Sequence, residues 1–162
     1  MKARILIVDD HEIVREGIRT LLARSGTDWE LCGEAANANE GLEAVKSLQP
    51  DIVILDITMP GTSGLEAARR ITKLGLSSRI LMFTMHDSEL LETEVRQAGA
   101  QGFVLKSQAV RDLVLAIQTL LDGGTFFGTP AKNSPRNKEN PDRGALRFET
   151  LAWSDTPPRR SA

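Results

Sequence analysis

Tyrosine is absent from this chain of 162 residues, and all aromatics together make up only 4% of it, so its core must be aliphatic. Cys32 is the one cysteine, which excludes a disulfide framework and a zinc constellation. It lies in an apolar–polar alternation and reads as a small buried residue, not a redox group. No stretch approaches the ~18 apolar residues of a membrane span. The start, "MKARILIVDD", reaches acidic residues by position 9, too soon for a signal peptide. The expected location is cytoplasmic, with no membrane partner. A formal net charge of -2 gives no strong global attraction to nucleic acid. The charge is uneven, however: residues 128–162 hold seven Lys/Arg against four Asp/Glu, so the acidic excess lies in the first 127.

What is present is a soluble globular composition, 41% hydrophobic and 26% charged, with a repeating pattern. Four apolar runs stand out: Ile5–Val8, Ile52–Leu55, Ile80–Phe83 and Phe103–Leu105. Between them the period becomes helical, with one face predicted for Ile13, Val14, Ile18, Leu21 and Leu22, and another for Leu42, Val45 and Leu48. Leu65, Ala68 and Ile71 follow the same rule, as do Leu91, Val95 and Ala98, and then Val110, Leu113, Val114, Ile117, Leu120 and Leu121. "WELCGEAA" alternates instead, as a half-exposed strand at a sheet edge would. The pattern is β-α five times over, which implies an α/β fold: a parallel sheet covered on both faces, with right-handed crossovers. Ligands of such folds collect at the carboxyl ends of the strands.

The alternation ends at Gly123-Gly124, which stop the last helix. We expect one domain over 1–124. Residues 125–162 hold five of the seven prolines and few apolar residues, and are expected to form a disordered tail. Within it, "ALRFETLAW" has the makings of one short amphipathic turn or of a segment that folds on a partner.

The strand ends carry the chemistry. Ile5–Val8 runs into Asp9-Asp10, and Ile52–Leu55 into Asp56, followed by the loop residues Pro60, Gly61 and Gly64. If the two strands are neighbours, three carboxylates converge, and two unit charges ~4 Å apart repel by about 4 kcal/mol at an effective dielectric of 20. A hard divalent cation with oxygen ligands would resolve this, and Mg²⁺, which joins carboxylates to phosphates, fits best. Ile80–Phe83 ends in Thr84, a hydroxyl, and Phe103–Leu105 in Lys106, an ammonium. An Asp nucleophile, a cation, a hydroxyl donor and a lysine are the parts needed to make and hold an acyl phosphate. Singly each feature has a plain structural reading; in order, each at a strand end, they are specific.

"ILIVDDHEIVREGI", "PDIVILDITMPGTSGLE", "ILMFTMHD" and "GAQGFVLKS" resemble the receiver domain of a two-component response regulator, in its NarL/FixJ-like subfamily, over about residues 3–121. The resemblance implies a (βα)5 flavodoxin-like doubly wound sheet with strand order 2-1-3-4-5. It implies that Asp56 is the phosphoacceptor and that Asp9 and Asp10 hold Mg²⁺, with Asp10 and Asp56 as direct ligands and Asp9 acting through water. The backbone carbonyl of Thr58 matches the remaining ligand. Thr84 falls at the switch hydroxyl, Lys106 at the phosphate-stabilising lysine, and Phe103 at the switch aromatic, for which plain strand packing is the alternative. The implied partner is a sensor histidine kinase or phosphotransfer protein; the apolar faces of the fourth and fifth helices would suit a homodimer, with core burial as the alternative reading. The implied role is signalling, not enzymatic turnover.

Two departures qualify the match. Ser107, suited to capping a helix, follows the lysine where many receivers have proline. The helix-turn-helix domain usual in this subfamily has no counterpart in the pattern after the receiver, so direct sequence-specific DNA binding is not expected. A stand-alone receiver and a transcriptional regulator that has lost its output domain both remain open, as does a degenerate receiver used only for binding. A haloacid-dehalogenase-type phosphatase would want a second Asp two residues after Asp56, where Thr58 stands. A flavin carrier would want a Ser/Thr/Gly-rich loop after the first strand, where two carboxylates stand instead.

Overall fold

The structure, a computed structural model, describes residues 1–128. The predicted tail, including "ALRFETLAW", lies outside the described residues from 129 onward.

Continuous apolar runs become the inner strands. β1 (Ala3–Val8), β3 (Ile52–Asp56) and β4 (Arg79–Thr84) are buried along most of their length because helices cover both faces of the sheet. β2 (Trp29–Ala35) lies at one edge and β5 (Gly102–Leu105) towards the other. The helices are α1 (Glu12–Arg24), α2 (Ala38–Leu48), α3 (Gly64–Lys73), α4 (Leu91–Gln97) and α5 (Ala109–Leu121). Every strand pair is parallel.

One strand was not foreseen. Phe126–Phe127 forms β6, parallel to β5, so the order is 2-1-3-4-5-6. The sheet therefore extends past residue 124, the boundary expected from the sequence, and β5 is not an edge strand at Gly102 and Phe103. Close approach is possible because residue 102 is glycine: a Cβ there would stand 2.1 Å from the Phe126 carbonyl oxygen.

The sheet separates two apolar layers. Leu6, Val8, Val53, Leu55 and Met82 face α2, α3 and α4, while Ile5, Ile7, Ile52, Ile54 and Leu81 face α1 and α5. On β2 the register slips by one residue between Leu31 and Gly33, leaving Cys32 as the extra residue of a β-bulge. Cys32 is half-buried, not buried as expected; its Sγ donates to the Ile5 carbonyl at 3.3 Å, and burial pushes its thiol pKa up.

Three local expectations are corrected. Ile13, assigned to the inner face of α1, is 83% exposed, and Val110, assigned to that of α5, is 84% exposed. Both sit in the first turn of their helices and line an open groove instead of the core. Ser107 does not cap α5: residues Lys106–Gln108 form a 3-10 turn, which places Gln108 at the N-cap, with no side-chain cap bond.

Candidate functional site

The carboxyl ends of β1 and β3 are adjacent, with Val8 paired to Leu55. The next residues, Asp9 and Asp56, are therefore neighbours, and both are buried. Two contacts shape the loop after β3. The Thr58 amide donates to Asp56 Oδ1 at 3.2 Å, and the Gly64 amide donates to the Ile57 carbonyl at 2.8 Å. That second bond draws the start of α3 so close that a Cβ on residue 64 would lie 1.8 Å from the Asp56 carbonyl oxygen. Glycine at 64 is thus a packing requirement.

Asp9, Asp10, His11 and Asp56 place one ligand-capable atom each within 4.8 Å of one another. Lys106, only 8% exposed in its side chain, enters from the end of β5: its Nζ lies 2.8 Å from Asp9 Oδ2 and 3.3 Å from Asp56 Oδ2. Even so, Asp9 Oδ2, Asp10 Oδ1 and Asp56 Oδ2 are buried atoms with no hydrogen bond of normal geometry. Asp9 and Asp56 share one ammonium, and Asp10 lies beside them. Burial, and then the neighbouring Asp9 charge, push the Asp56 pKa above the usual carboxylate range, against the pull of Lys106 and the Thr58 amide.

Three carboxylates of excess negative charge, with buried oxygens left unsatisfied, suit a hard divalent cation. His11 was not singled out in the sequence. Its amide donates to Asp9 Oδ1 at 2.8 Å, and its Nδ1 lies 3.2 Å from Asp9 Oδ1 and 3.1 Å from Asp10 Oδ1. Adjacency to the Asp-Asp pair was the only signal that could have found it. Arg15 Nη1 donates to the Asp9 carbonyl at 2.7 Å and so ties α1 to this turn.

The other expected residues sit around this cluster. Thr84 is buried at the end of β4, and its Oγ1 accepts from the His86 amide at 3.2 Å. Thr58 is exposed beside Asp56. Phe103 is buried in the layer that holds Leu55 and Met82, and touches Phe127 rather than the carboxylates. A groove of about 580 Å³ opens between α1 and the start of α5, lined by Ile13, Gly17, Met85 and Val110 and reaching Lys106. No helix among the described residues is long and apolar enough to cross a membrane.

Residues 5–118 match the family described as the response regulator receiver domain. The nitrate/nitrite response regulator protein NarL of Escherichia coli (strain K12) is 36% identical over 121 residues, 75% of this chain and 56% of NarL, so the chain spans little more than half the length of that relative. A LuxR-family two-component response regulator from Aurantimonas sp. SI85-9A1 superposes with a TM-score of 0.74 at 37% identity, covering 94% of this chain and 99% of that one. The isolated REC domain of RcsB from Salmonella enterica serovar Typhimurium, solved with phosphomimetic BeF3-, gives 0.72 at 27% identity, covering 79% and 94%.

Proposed function

Because this chain belongs to the response regulator receiver domain family, we propose that it accepts a phosphoryl group on Asp56 from a sensor histidine kinase, a phosphotransfer protein or a small acyl phosphate. The observation that carries this reading is the convergence of Asp9, Asp10, Asp56 and Lys106 at the carboxyl ends of three strands. A carboxylate oxygen of Asp56 forms the new P–O bond as the donor's P–N or P–O bond breaks, and the leaving group keeps the electron pair. Asp56 needs no general base, since an ionised carboxylate has no proton to lose. Positioning and charge stabilisation do the rest.

Asp9, Asp10, Asp56 and the backbone carbonyl of Thr58 are the residues that would hold Mg²⁺, which when bound supplies positive charge against the phosphoryl oxygens. Lys106 is placed to transfer part of its ion pairing from Asp56 to the incoming oxygens. Thr84, the buried last residue of β4, is the hydroxyl we assign to the switch, and its turn toward the phosphoryl group would leave space for Phe103. That repacking would alter the surface of α4, β5 and α5, through which homodimerisation or partner binding would follow. The groove beside Lys106 is the natural seat for a donor protein.

Labelling with acetyl phosphate and Mg²⁺, read by mass spectrometry, tests the assignment. Wild type takes up one phosphoryl group and Asp56→Asn takes up none; equal uptake by both would refute it.

A further inference from the structure

β6 brings Phe127 against Phe103, with ring centroids 6.2 Å apart and planes at 68°, an edge-to-face pair. The guanidinium of Arg96, on α4, lies 3.6 Å from the Phe127 centroid. Glu92, one turn earlier on α4, holds that guanidinium at 2.8 Å. Phe103 leans the same way: the far edge of its ring is 3.8 Å from where a Cβ on residue 128 would stand. Glu92, Arg96, Phe127 and Phe103 thus form one column joining α4, β6 and β5. None of them touches the carboxylate cluster.

We infer that Phe127, covered by Arg96, is a latch on Phe103 that opposes loading of the phosphoryl site. The inference rests on the reading of Asp56 as phosphoacceptor and of Phe103 as the ring that responds. β4, which carries Thr84, and β6 flank β5 on opposite sides. Phe103 can therefore turn toward Thr84 only by leaving Phe127. Whatever the aromatic pair contributes to the resting packing is subtracted from the loaded one. Coupling of this kind is reciprocal, so loading Asp56 also loosens β6. Gly102 is part of the device, since any side chain there would hold β6 away from β5.

The test is titration of the full-length chain with beryllofluoride and Mg²⁺ by calorimetry, together with amide exchange at Phe126 and Phe127. Phe127→Ala should bind the adduct roughly two- to tenfold more tightly than wild type, the range expected from losing one aromatic pair. Arg96→Gln, an exposed change that keeps the fold even if Phe127→Ala does not, should shift affinity the same way by less. Exchange at Phe127 should quicken on adduct formation. Unchanged or weaker binding in both variants, with wild type binding normally, overturns the latch and leaves Asp56 as phosphoacceptor. Wild type that fails to bind, or Asp56→Asn that binds as well, overturns the phosphoacceptor reading and the latch with it.

Discussion

Lys106 stands closer to Asp9 than to Asp56, its Nζ at 2.8 Å from the first and 3.3 Å from the second. The lysine is therefore held by a residue that is not the proposed phosphoacceptor, and it can serve a phosphoryl group without giving up its anchor. Replacing it leaves buried carboxylates facing one another. Lys106→Met should lose about 3 kcal/mol in urea unfolding with chelator present, the scale seen when one partner of a buried pair is removed. Added Mg²⁺ should restore part of that loss. Undiminished stability in chelator would contradict the ion-pair account.

The raised pKa of Asp56 has a definite sign. A folded-state value above the unfolded one means that the folded protein binds the proton more tightly. Stability from this group is then present at low pH, falls as pH rises from the usual carboxylate range through the raised value, and is flat above it. Asp56→Asn removes that dependence. In chelator it should melt a few degrees above wild type at neutral pH, a gain on the order of 1 kcal/mol, and the gap should close on acidification. A gap that widens toward low pH would reverse the sign.

Gly64 offers a purely steric test. With the Asp56 carbonyl oxygen 1.8 Å from the position of a new Cβ, Gly64→Ala must push the start of α3 away from β3. We expect a loss of roughly 2–3 kcal/mol by chemical denaturation and slower labelling by acetyl phosphate, because the loop carrying Thr58 moves with it.

Ile13 and Val110 test the groove. Both are more than four-fifths exposed, so the double change Ile13→Ser with Val110→Ser should alter stability by less than about 0.5 kcal/mol. Acetyl phosphate labelling should be unaffected, while transfer from a phosphohistidine protein should slow at least several-fold. Equal slowing with both donors would place the defect in the chemistry instead of the docking.

The strands and their ends could be read from the sequence because a parallel strand covered on both faces leaves a continuous apolar run, and polarity returns abruptly where cover ends. That made Asp9, Asp56, Thr84 and Lys106 visible as a set. β6 was hidden for the opposite reason: Phe126-Phe127 is too short to show any period, and its cue lies at Gly102 on another strand. Ile13 and Val110 fit the helical spacing, but spacing fixes an angle around the axis and says nothing about whether a neighbour covers that turn. Ser107 has the chemistry of a cap, yet the chain spends it inside a 3-10 turn before α5 begins. His11 carries no spacing signal at all, since it reaches the carboxylates by adjacency.

The pairing of β6 with only the first half of β5 also determines how copies of this domain could stick to each other. Unpaired backbone at a sheet margin is a template for fibre-like strand addition. At the β2 margin the bulge at Cys32 breaks the line. At the opposite margin, among the described residues, a two-residue strand offers too short a ladder for a neighbouring chain to copy. Crowded molecules are thus steered away from amyloid-type stacking and towards contacts made by helices.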